Sequence, residues 1–160
     1  MRTAICPGSF DPITLGHLDL IRRASVLFDR VLVCVMSNGE KDRGMFPPQE
    51  RLRLVQLAVA DLPHVEAEVW TGLLADYAIQ RGACAVVKGV RGGGDFDWEY
   101  QMAWINENLA PGLETVLLPA NPRYIWFSST MAREMIRYGQ DLTRYLPSAV
   151  AEEISGKRMG

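Results

Sequence analysis

Apolar runs and amphipathic stretches alternate along the whole chain. Thr3 to Cys6 is short and apolar, as expected of a buried strand. Leu18, Ile21, Ser25 and Phe28 then recur at helical spacing, with Arg22, Arg23 and Asp29 off that face. Asp19 is expected in the first turn of that helix, where a negative charge is favoured. Val31 to Met36 is continuously apolar, the pattern of a parallel strand covered on both faces. Leu52, Val55, Val59 and Leu62 mark a second helix face, opening after Pro47-Pro48. Val65 to Trp70 mixes apolar and charged positions, which suits an edge strand.

A third helix runs from about Leu73 to Arg81 and stops at Gly82. Ala85 to Val87 is a fourth strand, and Asp95 is expected to cap a long helix reaching about Leu109. Thr115 to Leu118 is a fifth strand. Ser128 or Ser129 caps a helix ending near Gly139, and a last helix starts near Pro147. Strictly alternating elements of this kind predict a single doubly wound, Rossmann-like α/β domain over residues 1–160, with a five-stranded parallel sheet. In such sheets ligands bind beyond the carboxyl ends of the strands, at the switch point in strand order.

Composition changes this picture little. The chain has 160 residues, 48% hydrophobic and 22% charged, as in ordinary globular domains. A net charge of −2 argues against a general nucleic-acid binder. No apolar run approaches membrane-spanning length, so no membrane partner and a cytoplasmic setting are expected. Cys6, Cys34 and Cys84 lack metal-ligand spacing and lie in or beside apolar runs, so all three are expected to be buried.

The chemistry concentrates in polar stretches at strand ends. Pro7 to His17 leads from the first strand into a helix start, where unpaired backbone N–H groups form an anion site. Gly8 and Gly16 permit close backbone approach, Ser9 offers a hydroxyl and His17 an imidazole. Lys88 and Arg91 flank Gly89 at the end of an apolar strand, where an unpaired buried charge would be costly, so they must face a cleft or solvent. Tyr124 to Thr130 joins an aromatic loop to a helix start rich in hydroxyls. Lys41 lies in a polar loop and, from its surroundings alone, reads as a solvated lysine.

Two of these stretches carry a resemblance. Thr14-Leu15-Gly16-His17, after Gly8-Ser9-Phe10-Asp11-Pro12, is similar to the T/H-x-G-H signature of the nucleotidyltransferase superfamily. Ser128-Ser129-Thr130-Met131-Ala132-Arg133 is similar to its second signature. Along nearly its whole length the chain resembles the bacterial phosphopantetheine adenylyltransferase family. The resemblance implies transfer of AMP from ATP to 4′-phosphopantetheine, giving dephospho-coenzyme A and pyrophosphate. Ser9 and Phe10 would contact ATP, Ser9 also the acceptor, and His17 the polyphosphate. Lys41, with Arg43 as rival, and Lys88 would bind the acceptor phosphate, and Leu74 would line the pantetheine channel. Gly89, Val90, Arg91, Glu99 and Tyr124, Ile125, Trp126, Phe127, Ser128, Ser129 and Thr130 would contact ATP. The catalytic set implied is His17, Lys41, Arg91 and Ser129.

The resemblance also implies Mg²⁺ with the ATP, a homohexamer and possible inhibition by coenzyme A. Relatives more often carry threonine at position 9, arginine at 88 and isoleucine at 127, where this chain has Ser9, Lys88 and Phe127. Other readings of the same residues are a nicotinamide mononucleotide adenylyltransferase, a non-catalytic nucleotide-binding sensor module and a flavodoxin-like carrier. The last is disfavoured by cations on several strand-end loops.

Overall fold

The computed structural model describes residues 1–158. Five strands lie among them: β1 (Thr3–Gly8), β2 (Arg30–Ser37), β3 (Val65–Thr71), β4 (Ala85–Val90) and β5 (Glu114–Pro119). The helices are α1 (Leu15–Leu27), α2 (Pro48–Ala58), α3 (Leu74–Arg81), α4 (Gly93–Leu109), α5 (Ser129–Arg137) and α6 (Ser148–Arg158). The strands form one all-parallel sheet in the order β3-β2-β1-β4-β5. The expected five-stranded, doubly wound sheet is observed, and β3 is an edge strand as its mixed pattern suggested.

Alternation along each strand divides the core in two. Ala4, Cys6, Val31, Val33 and Val35 face α1, α2, α5 and α6, through Ile21, Leu54, Ala132 and Ile154. Ile5, Leu32, Cys34 and Val86 face the opposite way, onto Ala75, Tyr77 and Ala78 of α3 and onto Ala110 and Leu113. Strand order reverses between β1 and β4. The two pair at Ala4↔Ala85 and Ile5↔Val86, whereas β1 and β2 stay in register from Thr3↔Arg30 to Gly8↔Val35. The crevice expected of a doubly wound sheet therefore opens beyond the β1–β4 pair.

Several local expectations are corrected. Thr14 caps α1, so the helix starts at Leu15 and Asp19 is past its first turn, paired with Arg23 at 3.4 Å. The buried face of α1 is Leu18, Ile21 and Ala24; Ser25 donates its hydroxyl to the Arg22 carbonyl instead. Of the face expected on α2, Val55 and Val59 are buried and Leu52 and Leu62 are half-buried against the same core; Arg51, Leu54 and Ala58 are buried as well. Gly92, not Asp95, is the N-cap of α4. Asp95 sits in the first turn and accepts the Arg91 backbone N–H at 3.0 Å, which holds its carboxyl below the usual range. Cys6 and Cys34 are buried, and burial pushes both thiols up to about 12, but Cys84 is exposed just ahead of β4. Gly82 ends α3 in the left-handed conformation, at φ 61°.

Candidate active site

The first N-terminus of interest is built from its own sequence. Thr14 Oγ1 accepts the His17 backbone N–H at 3.3 Å, and His17 Nδ1 accepts the Thr14 N–H at 3.0 Å. This is a reciprocal capping box with histidine in the role usually held by Glu or Gln. Its chemical consequence is specific. With Nδ1 used as an acceptor, the proton of the neutral ring resides on Nε2, which is left to donate. Phe10, buried and at φ 49°, packs edge-on against the imidazole with ring centroids 5.0 Å apart. Burial first, then the charges of Lys88 and Arg91, push the His17 pKa down to about 4. At neutral pH His17 is thus an oriented, uncharged donor and not a proton store.

The second N-terminus belongs to α5. Ser128 caps it, its Oγ accepting the Met131 N–H at 3.2 Å. Thr130 Oγ1 accepts from Arg133 Nη2 at 3.2 Å. Both hydroxyls use their oxygens as acceptors and retain a proton to donate. Ser129 differs: its Oγ–H donates to the Pro12 carbonyl at 2.9 Å. The hydroxyl proton expected to meet a phosphate is therefore spent inside the protein. What Ser129 offers an anion is its backbone N–H, one of the unpaired first-turn donors.

These two helix starts and the end of β4 enclose a cleft of about 500 Å³. Ser9, His17, Lys88, Gly89, Arg91, Glu99, Tyr124, Ile125, Phe127, Ser128, Ser129 and Thr130 all line it, drawn from both signatures and the β4 turn. Gly16 lets α1 approach the aromatic loop, since a Cβ there would lie 3.4 Å from Tyr124 Cβ. A second cavity of about 100 Å³ adjoins, lined by Leu74, Trp98, Met102, Asn106 and Thr115. Lys88 and Glu99 line both cavities and form an ion pair at 3.3 Å across their junction.

Four expected site residues line neither cavity. Phe10 is buried as a support for His17, and Val90 ends β4. Trp126 is 77% exposed. Lys41 is exposed on a single 3-10 turn (Gly39–Lys41), and its rival Arg43 is exposed beyond it. Conversely, Asp19, Arg23, Asn121 and Arg133 line the large cleft without having been singled out. Arg133 was legible, because it closes the second signature; it donates to the Asp11 carbonyl at 2.8 Å and pairs with the Asp11 carboxylate at 3.8 Å. Arg23 reached the cleft through a contact no local pattern encodes, its guanidinium donating to the Pro119 carbonyl at 2.8 Å.

The fold and cleft define a doubly wound α/β protein whose large cleft lies between two helix N-termini and a set of cations. The chain belongs to the cytidylyltransferase-like family, whose family model matches residues 5–135. Within that breadth its full-length relatives are more specific. It is 43% identical over 157 residues to a phosphopantetheine adenylyltransferase of Caldanaerobacter subterraneus subsp. tengcongensis, covering 98% of each chain. It is 45% identical to that of Corynebacterium diphtheriae, again over 98% of each, and 46% identical to that of Chloroflexus aggregans, over 98% of this chain and 97% of the other. The likeness thus extends through α6 to the region beyond the family match. A solved structure from Vibrio parahaemolyticus, provisionally described as a nicotinate-nucleotide adenylyltransferase, superposes with a TM-score of 0.73 at 23% identity. It covers 98% of this chain and 94% of its own, and bears on the fold alone.

Proposed function

We propose that this protein is an adenylyltransferase that moves AMP from ATP to 4′-phosphopantetheine, releasing pyrophosphate and forming dephospho-coenzyme A. The observation that carries the reading is the junction of the two cavities at Lys88. A large cleft of mixed lining, with cations and two helix N-termini suited to a nucleotide polyphosphate, meets a smaller cavity lined by apolar and polar residues, with a cation where they join. An acceptor with a long arm of short apolar segments joined by amides, and a terminal phosphate, fits that mixed lining. The 43–46% identity to full-length phosphopantetheine adenylyltransferases supports it.

The chemistry asks little of the protein as an acid or base. A phosphate monoester is already ionised at neutral pH, so one of its oxygens attacks the α-phosphorus directly. A new P–O bond forms, the α–β bridging bond breaks, and the electron pair leaves on pyrophosphate. What accelerates this step is alignment and stabilisation of charge moving toward the leaving group. Nε2–H of His17, the guanidinium of Arg91, the N–H groups of Ser129 and Thr130 and the hydroxyl of Thr130 supply that stabilisation, with Ser128 capping the helix that presents them. Lys88 aims the acceptor phosphate, Ser9 holds the loop between the two substrates, and Lys41, exposed on its turn in this structure, would add a second cation for the acceptor phosphate. Tyr124, Ile125 and Phe127 form the side of the cleft against which the base packs, with Glu99 tethering Lys88 between the subsites.

Mg²⁺ is expected with ATP, and the donor set fits a metal carried in by the nucleotide. Asp19, Asp95 and Glu99 line the cleft, but each already faces a cation: Arg23, Arg91 and Lys88 respectively. Among the described residues no group of three or more His, Cys, Asp or Glu is placed to hold a metal. Phosphate oxygens and water would be its ligands, and its chemistry there is neutralisation of triphosphate charge.

We take residues 1–160 as one domain and the protein as a cytoplasmic homohexamer. Exposed Trp98, Tyr100, Trp104 and Ile105 on α4, an unusual density of apolar side chains for a lone surface, support self-association. No helix among the described residues is long and apolar enough to cross a membrane.

The deciding experiment is pyrophosphate release with ATP, Mg²⁺ and each of two acceptors. Turnover of 4′-phosphopantetheine with little of nicotinamide mononucleotide is expected. Equal or better use of the mononucleotide would reject the reading, and nucleotide binding with no release from either would favour a sensor.

A further inference from the structure

Arg51 is a charged side chain in a place where charge is costly. It lies on the core face of α2 and is 1% exposed. Burying a guanidinium is tolerated only when its donors are met, and here they are met by three segments, of which the Ser9 loop lines the cleft. Nη1 donates to the Ser9 carbonyl at 2.9 Å and, more weakly, to the Met36 carbonyl at 3.4 Å. Nε donates to the Phe46 carbonyl at 3.0 Å. Nη2 pairs with the Asp42 carboxylate.

Ser9 lies one residue past the end of β1, and the β1–β2 ladder ends at Gly8↔Val35, while Met36 and Ser37 still pair with Trp70 and Thr71 of β3 on their other side. One planar fork from a helix replaces the missing ladder. Its planarity matters, because several fixed N–H directions meet several separate acceptors.

Asp42 extends the contact to Lys41. Its carboxylate accepts the Asn38 N–H at 3.4 Å and the Gly44 N–H at 3.0 Å, closing the turn on which Lys41 sits, one residue away. The hydrogen bond from Gly44, then that from Arg51, holds the Asp42 carboxyl below its usual range, so the charge is present throughout the neutral region. A second carboxylate secures the far end of the same loop: Asp11, in the first signature, accepts the Met45 and Phe46 N–H groups at 2.8 and 2.9 Å. Gly44 is confined between them, since a Cβ there would lie 2.9 Å from Asp11 Oδ2.

We infer that Arg51 is a positioning residue for the acceptor half of the reaction: it fixes the Lys41 turn relative to the Ser9 loop, and so sets where the attacking phosphate stands. The inference rests on the adenylyltransferase reading above. Misplacing a positioning group by about 1 Å can cost up to roughly 10²-fold. The larger loss should fall on the acceptor: Arg51 holds the Lys41 turn through Asp42 and touches none of the α5 or β4 groups assigned to the triphosphate, and Ser9, its one contact shared with ATP, is met at the backbone carbonyl.

The test is a double-mutant cycle. Arg51→Lys keeps the charge and loses the fork; it is made alone and in a Lys41→Ala background, with KM for both substrates, kcat and melting temperature measured on each preparation. The expected result is a rise of about tenfold or more in acceptor KM for Arg51→Lys, with ATP KM changed less than about threefold. The same substitution should add almost nothing to acceptor KM once Lys41 is gone. If it raises acceptor KM by the same factor in both backgrounds, or lowers only the active fraction with both KM values unchanged, the inference is overturned. Should Arg51→Lys not fold, Asp42→Asn takes its place in the cycle under the same criteria. Wild-type protein that does not turn over 4′-phosphopantetheine rejects the functional reading itself. Wild-type protein that does, with multiplicative variants, rejects only the role of Arg51.

Discussion

Two helix N-termini face the same cleft, and they are finished in different ways. At α1 the residue that would meet the polyphosphate also caps the helix: His17 spends Nδ1 on the Thr14 N–H and keeps Nε2–H. At α5 the labour is divided, with Ser128 capping, Ser129 tied to Pro12 and Thr130 supporting Arg133. Orientation at α1 is therefore concentrated in one side chain, while at α5 it is spread over three. Function should be lost steeply at the first site and gradually at the second.

The largest expected effect follows at His17. His17→Ala removes a donor aimed at charge that grows in the transition state, worth about 2.7–4 kcal/mol or roughly 10²–10³ in kcat. The ATP dissociation constant should change far less. Because the ring is also half of a capping box, a loss of about 0.5–2 kcal/mol in stability accompanies it. His17→Gln separates the two contributions: a glutamine at this position restores the box, so melting temperature should recover ahead of kcat. Near-normal kcat in the alanine variant would break the comparison at its stronger end.

At α5 the effects are smaller and differ residue by residue. Thr130→Val removes a hydroxyl donor to an anion, worth about 1.5–3 kcal/mol, so roughly tenfold or more in kcat/KM for ATP is expected. Ser129→Ala should cost less in ATP binding, because its hydroxyl proton already points at Pro12 and its N–H is unchanged. A larger loss from Ser129→Ala than from Thr130→Val, in paired initial-rate measurements, would show that Ser129 rotates its hydroxyl to the substrate. Ser128→Ala should lower stability by about 1 kcal/mol, read from denaturant midpoints, with kcat within a few-fold of wild type.

The smallest expected effect on turnover is that of pH. With a folded-state pKa of about 4, His17 stays neutral in the free enzyme down to about pH 5, so its ionisation should leave kcat/KM flat from about pH 8 to 5. Its effect on stability has the opposite sense to that of a paired histidine. The unfolded chain binds the proton first, near pH 6.5, so stability is lost as pH falls from there toward about 4 and is constant above. Replacing His17 with glutamine should remove that acid sensitivity. A histidine resonance titrating near 6.5 in the folded protein, and assigned to His17, would contradict the buried-donor geometry.

Much of this site was legible because it lies at strand ends within short motifs. Gly8 to His17 and Ser128 to Arg133 mark helix starts by local rules of capping and glycine placement, and both line the cleft. Lys88, Gly89 and Arg91 follow an apolar run that needs no partner knowledge to read as a strand. The misreadings have a common origin. Asp95 and Asp19 were placed from spacing alone, and the actual caps, Gly92 three residues before Asp95 and Thr14 five before Asp19, moved each of them. Cys84 sits beside an apolar run yet lies just before the strand, where the chain is still at the surface.

The sequence by itself determined the order and kind of the elements, the parallel sheet and the loops that carry the chemistry. Those follow from apolar periodicity and from backbone rules that act over a few residues. Only the tertiary structure decided which proton Ser129 has left to give, that Lys88 meets Glu99 at the joint of two cavities, and that an arginine belongs in the core. Each of these depends on a partner in another element: Pro12 for Ser129, Glu99 of α4 for Lys88 of β4, Ser9 for Arg51. A charged side chain reads as a surface residue until the carbonyls and carboxylate that satisfy it have been brought around it. Those acceptors exist as a set only after β1, β2 and α2 have packed.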